Sequence, residues 1–510
     1  MNQLSPFLRY FGLPLIFGLT FPQSYMYTAP QAGHFMRGLA WGGHGLLSRD
    51  WVINTPCPLP AISVLIMTTY RYLDEFLFYV YFIFLAGVYI YSLLGIVTSL
   101  ERTKNSKPKI LVLFLVLALM HSPLFAPHIS NYTPSFIDQF VFAFRTGFAK
   151  HFIFNGMFLP SNFGALVFLS IFLCLKRRYL AGAITGCIGA AIHPAYLMSM
   201  WFLVFTYMWF QAREERDIKG AILTGAISLA LVLPSVLYSR TIFQPTSPEI
   251  FEQSLDILLE RFPHQAIPLY FFGINDAMQI VIIGAGLFLA RGTRLFPLLM
   301  VLSVATAALS GIQIITGNKI LALTLPWRIS VFIVPISTAL IAARLVNCLF
   351  EWCRIGKSEL KRSIRIKIVC LMVALPAYGV IATYRSHADS LRTASIPVMN
   401  FVKQSRSAGD LYLIPLKMIR FRLYAGVPIL VDWNVPPFGD SNIVEWRRRY
   451  DAAKKFHESP DNGFSCGLLR KMVGKYKITH VIVSRKKNLV CEFARNLYQD
   501  DDYSSFQIRQ

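Results

Sequence analysis

Apolar residues run along this chain in long unbroken blocks, not in the alternation of strands or the stripes of surface helices. Eleven blocks stand out, at roughly 7–28, 76–99, 110–127, 158–175, 179–193, 195–211, 218–238, 267–290, 295–315, 320–343 and 364–384. A helix needs about 20 mostly apolar residues to cross the hydrocarbon of a bilayer, so each block predicts a span. The first has no small-x-small site after it and reads as a span, not a cleavable leader. The fifth and sixth are short and meet at His193-Pro194, where proline must break the helix. That break is either purely structural or opens on a water-filled cavity. The segment 59–73 is apolar but ends in Arg71-Tyr72, which predicts a helix lying at the membrane surface.

The polar stretches between blocks are unequal. The longest, 29–75, is followed by 128–157, with an amphipathic stretch, and by 239–266, with a predicted helix from Pro248 to Arg261. From about 385 the pattern changes. Leu411–Ile414, Pro428–Val431 and Ile478–Ser484 read as strands, and Ser441–Phe456 as a helix capped by Asp440 or Ser441. Strands separated by helices predict a parallel sheet. The expected fold is therefore mostly α: a polytopic membrane domain over 1–384 with a small extracytoplasmic α/β domain over 385–510. No internal repeat or low-complexity tract interrupts it.

Charge fixes the orientation. The 510 residues include 50 Lys and Arg against 27 Asp and Glu, a net charge of +23, yet only 15% are charged and 55% are hydrophobic. A nucleic-acid binder would be basic and charge-rich, so that class is excluded; 14% aromatics exclude disorder. With the N-terminus in the cytoplasm, 20 of the 29 basic residues before residue 385 fall on the cytoplasmic side, and the bias holds at every loop. Eleven spans then place the tail outside, in the cell membrane's outer compartment. Cys466 and Cys491 would lie there, either as a disulfide or as two small apolar residues. No cysteine spacing suggests zinc.

The candidate chemistry clusters in the outer loops. Asp50, the first acid in the chain, sits in a Gly-rich loop, Trp-Gly-Gly-His44-Gly-Leu-Leu-Ser-Arg-Asp50-Trp51. It could take a proton from an acceptor hydroxyl or hold a divalent cation such as Mg or Mn, or simply pair with Arg49 or cap the next segment. His128 and Asp138 could line a cavity; capping explains them more simply. Arg328 lies inside the tenth block, where a bare charge costs about 2.5–3.5 kcal/mol on insertion scales. Such an arginine has an anionic partner, faces a cavity or snorkels; Asp276, in the eighth block, is a candidate partner. Lys319 sits nine residues earlier, and Arg261 and His264 precede the eighth block. In the tail, Arg422, Asp432 and Trp433 flank a predicted strand end, where open α/β sheets bind ligands.

These strings resemble the GT-C class of membrane glycosyltransferases, and more closely an uncharacterised bacterial branch of it. They are Ser-Arg-Asp50-Trp51, Phe158-Leu-Pro-Ser-Asn-Phe-Gly164, His193-Pro194, Arg261-Phe-Pro-His264, Leu325-Pro-Trp-Arg328-Ile-Ser330, and Phe421-Arg422-Leu-Tyr-Ala-Gly426 before Asp432-Trp433. The resemblance implies a polyprenyl-linked sugar donor, a glycan or protein acceptor, and Asp50 as the catalytic acid of the first outer loop. Many of the class carry paired acids there; here Asp50 is followed by Trp51. Arg328, helped by Arg261, His264 or Lys319, would hold the donor phosphate. A polysaccharide polymerase or ligase, a transporter or flippase, and a membrane scaffold are the other readings of the same pattern.

Overall fold

A computed structural model describes residues 4–100, 106–122, 124, 136–352 and 362–509. The protein is mostly helical, and the chain divides into two compact units. One comprises 1–24, 78–237 and 261–386; the other comprises 25–77, 238–260 and 387–510.

The first unit is all helix. Among the described residues of the chain, five helices are long and apolar enough to cross a membrane: Leu77–Leu100, Ile218–Ile242, Leu295–Thr316, Lys319–Trp352 and Arg365–Ser390. Shorter apolar helices include Leu8–Thr20, Pro160–Leu175, Tyr179–Ile192 and Ile274–Ala290. This inventory fits a membrane protein. Burial sorts the helices. Over an 18-residue apolar portion, Lys319–Trp352 is 83% buried inside the protein, whereas that of Ile218–Ile242 is only 17% buried, and this helix presents leucine, isoleucine and valine outward. Where an outward face is this apolar along a whole helix, the surrounding solvent is hydrocarbon.

Two breaks interrupt the apolar helices, the first at His193-Pro194, where the sequence predicts one. Helix Tyr179–Ile192 stops at His193, a single turn Pro194–Tyr196 follows, and Leu197–Arg213 starts afresh. The predicted span 320–343 is broken too. Lys319–Thr324 ends at Leu325, whose φ of 54° is left-handed, and a tight turn Pro326–Ile329 precedes helix Ser330–Trp352. Pro326 supplies the reason: it lacks an N–H, and its ring disfavours a helical residue before it.

The second unit is built on a four-stranded sheet: β1 (Tyr412–Leu413), β2 (His480–Ser484), β3 (Ala494–Gln499) and β4 (Tyr503–Ile508), in the order β1-β2-β4-β3. The purely parallel sheet expected from sequence is corrected here. Only β1 and β2 run parallel; β2–β4 and β4–β3 are antiparallel. The short Asp500–Asp502 connection makes β3 and β4 a hairpin, and a connection that short permits only antiparallel pairing. Pro428–Val431 is not a full strand but bridges β1 through Tyr412 and Ile429.

Side chains alternate across the strands as the pleat requires. Val481 and Val483 enter a core with Leu413, Ile443, Trp446, Phe456 and Leu469. Ile482 enters another with Tyr412, Ile414, Val398, Met399 and Phe421. Helices Asp440–Glu458 and Asn462–Tyr476 supply the first core and Ile396–Ser405 the second. Ile257, from helix Pro248–Arg261, also joins the first. The predicted surface helix appears as Pro60–Tyr72 and buries Ile62, Ile66 and Thr69. A Cys466–Cys491 disulfide ties helix Asn462–Tyr476 to the segment before β3.

Candidate functional site

In the second unit the structure gathers Asp50, Arg422 and Asp432. Short helix Phe421–Ala425 closes on Gly426, left-handed at φ 64°, and the chain then reverses to run beside β1 as far as Asp432. Gly45 makes the approach possible. Its φ is 55°, and a Cβ on it would lie 2.3 Å from the Gly426 carbonyl oxygen, which instead accepts from Leu46 N–H at 2.8 Å. A turn at Leu47–Arg49 then delivers Asp50.

All three side chains are buried; Asp50 is fully hydrogen-bonded, while Arg422 Nη2 and Asp432 Oδ2 have no hydrogen-bond partner among the described residues. Asp50 Oδ2 accepts from Arg422 Nε at 3.0 Å and from Ile429 N–H at 3.1 Å, while Oδ1 accepts from Val52 N–H at 2.9 Å. Asp432 Oδ1 accepts from the N–H groups of Asn434 and Val435, both at 2.8 Å. Its Oδ2 lies 2.9 Å from Arg422 Nη1 but outside hydrogen-bonding geometry, so that contact is ionic only. Burial raises the Asp432 carboxyl pKa despite the neighbouring guanidinium. The same two carboxylates raise Arg422 against its own burial.

This geometry corrects the reading of Asp50 as an accessible base. Both its oxygens are occupied and none of it reaches solvent. Nor do the donors fit a Mg or Mn ion. A guanidinium already lies against both carboxylates, and among the described residues no group of three His, Cys, Asp or Glu could hold a metal. His44 is structural as well: one ring nitrogen meets Tyr70 Oη at 2.8 Å, the other donates to Leu423 O at 2.7 Å, and burial lowers its pKa. Trp433 is partly exposed, and its backbone N–H donates to Leu416 O.

The first unit contains a different kind of cluster. Four pieces of chain meet around Arg328. Ser330 Oγ accepts from Phe148 N–H at 2.9 Å. Asp276 accepts from Ala149 N–H at 3.0 Å and from Gly273 N–H at 3.1 Å. Gln279 donates to the Thr146 carbonyl at 3.0 Å and the Ala143 carbonyl at 3.2 Å. Trp327 donates to Gln265 O at 2.8 Å. These bonds hold Ala149 (φ 54°) and Lys150 (φ 57°) in left-handed conformations, as Leu325 is held beside Arg328. Each costs roughly 1–2 kcal/mol for a residue with a Cβ and persists only because the surroundings enforce it.

The strained loop delivers His151. Its Nδ1 lies 3.4 Å from Arg328 Nη2. His193 is its other titratable neighbour, and the neutral phenol of Tyr196 lies near Arg328. Tyr196 donates to Ser161 O at 2.7 Å and takes the His193 ring edge-on at 4.7 Å. Arg328 forms no ion pair among the described residues. Asp276 is therefore corrected as its partner: that carboxylate is spent on two backbone N–H groups.

The remaining candidates are dispersed. Lys319 starts helix Lys319–Thr324, which Asn318 caps. Arg261 stacks on Phe262, and His264 is exposed, donating to Tyr270 O at 3.1 Å. His128 lies outside the described residues; Asp138 is described only as part of helix Phe136–Arg145. His151 escaped sequence reading because nothing in Ala-Lys-His-Phe marks it; the non-glycine left-handed residues before it are visible only in the backbone.

Residues 393–453 match the model of a family described as a domain of unknown function, DUF6798. The matched stretch includes Arg422 and Asp432. No curated protein matches the chain.

Proposed function

We propose that the protein is a GT-C-like membrane glycosyltransferase. It takes a sugar from a polyprenyl-phosphate-type donor and passes it to a glycan or protein acceptor at the outer face of the cell membrane. The observation that carries this reading is Arg328: a guanidinium within an apolar helical unit, at a break in a mostly buried helix, with no carboxylate paired to it among the described residues. A half-buried charge without an ionic partner in apolar surroundings is unfavourable, and a phosphate is the ligand that a guanidinium fork meets best. Holding the charge that develops on the leaving phosphate is the main task in such a transfer.

The eleven-span, N-in topology belongs to the same reading, with residues 385–510 extracytoplasmic. The loop charge bias supports it, as does the disulfide in the tail, since disulfides persist in oxidising compartments. Asp50 then serves the architecture of the second unit.

The test is lipid analysis of the protein purified in mild detergent. Mass spectrometry should find polyprenyl phosphate, or its sugar ester, with the wild type and not with Arg328→Gln. A wild type that carries neither, and membranes that release no polyprenyl phosphate on adding a donor extract, would overturn the proposal.

A further inference from the structure

We infer that His151 is the second arm of the phosphate site, a neutral imidazole that presents its Nε2–H beside the Arg328 guanidinium. The inference rests on the reading of Arg328 given above and adds a ligand-binding residue to it.

The chemistry of the pair fixes the tautomer. A guanidinium has only donors, so His151 Nδ1, 3.4 Å from Arg328 Nη2, must be the acceptor. The ring proton then sits on Nε2. His151 is only 7% exposed, and Nε2 has no hydrogen-bond partner among the described residues. Leaving a buried donor unmade is unfavourable, and such groups in folded proteins call for an explanation. An anion seated against Arg328 supplies one: it takes the guanidinium fork on one side and the Nε2–H on the other.

The backbone supports a binding role over a packing one. The loop before His151 is held in two successive left-handed residues by Asp276, Gln279 and Ser330, three side chains from two other elements. A histidine needed only to fill space would not require that enforcement. The ligand is a phosphate ester; a lipid carrier and free inorganic phosphate share the recognised group.

The experiment measures binding of polyprenyl phosphate, polyprenol and inorganic phosphate to the full chain in detergent. His151→Phe keeps the ring and removes the donor. It should weaken polyprenyl phosphate about tenfold or more, the value of one hydrogen bond to a charged group, and leave polyprenol unchanged. His151→Gln, whose amide reaches the Nε2 position, should recover most of the loss. Wild-type affinity for the phosphate in His151→Phe, with Arg328→Gln still defective, would overturn the inference and leave the Arg328 reading standing. Loss of both lipids in His151→Phe without recovery in His151→Gln marks a structural role and equally overturns it. A wild type that binds polyprenol as well as polyprenyl phosphate sinks both. Inorganic phosphate that displaces the lipid at equal concentration identifies the soluble anion as the ligand and overturns the lipid source.

Discussion

Two arginines, Arg422 fully buried and Arg328 half-buried, make opposite use of the same side chain. Arg422 in the second unit lies against two carboxylates, Asp50 and Asp432, which themselves take backbone N–H groups from three segments. Arg328 in the first unit has a neutral imidazole and, among the described residues, no acid beside it. A buried charge whose partners come from the fold is part of the architecture. A half-buried charge to which the described residues bring no carboxylate is held ready for something else. Asp50, which the sequence offers either as a catalytic acid or as a pairing and capping residue, is paired and capping here.

The largest effect expected from breaking this contrast is in the second unit. Arg422→Met matches the volume but leaves two buried acids facing each other. Removing one partner of a buried ion pair costs about 3–5 kcal/mol, so the tail should lose its cooperative unfolding transition or become readily proteolysed. The triple variant with Asp50→Asn and Asp432→Asn should regain much of the loss, because no uncompensated charge remains. Equal stability of Arg422→Met and wild type would remove the cluster from the architecture. Next in size is Arg328→Gln. The fold should survive with a similar melting temperature, while affinity for polyprenyl phosphate falls about a hundredfold, roughly 2.7 kcal/mol. A large drop in melting temperature with unchanged affinity would make Arg328 the structural one.

How much of this was legible follows from the range of the interactions. The Ile218–Ile242 helix, the Pro248–Arg261 helix and the His193-Pro194 break are local, set by hydropathy and by proline, and the sequence shows them directly. Asp50 and Arg422 were both visible as unusual residues, but 372 positions separate them, and no spacing rule joins them. The β3–β4 hairpin was missed because Ala-Arg-Asn-Leu-Tyr-Gln has little β-branched character and four of its six residues are exposed. His151 needed the backbone: its signal is the φ of Ala149 and Lys150, which residue identity does not encode.

A smaller effect separates the two meanings of Asp50. Asp50→Asn keeps an acceptor for Val52 N–H but turns an amide donor towards Arg422 Nε or Ile429 N–H. Stability should fall by about 1–3 kcal/mol. Any sugar transfer should fall only as far as the folded fraction does. Abolished transfer in a fully folded Asp50→Asn protein would restore the acid to catalysis and collapse the contrast from the other side.

The smallest effect lies in the pH dependence of the same cluster. Asp432 has its carboxyl pKa raised by burial, against the lowering effect of the Arg422 charge, with which it has no hydrogen bond. The folded protein therefore keeps this proton to a higher pH than the unfolded chain does. Stability from the group is full below the unfolded pKa and is lost as pH rises through the folded one. Asp432→Asn removes that dependence. The difference in unfolding midpoint, wild type minus Asp432→Asn, should grow in favour of the wild type on acidification from neutral pH through the folded pKa towards the ordinary aspartate range. A flat difference would mean that Arg422 compensates Asp432 in full. A slope shows that a guanidinium between two acids satisfies one of them by hydrogen bonding and the other by charge alone.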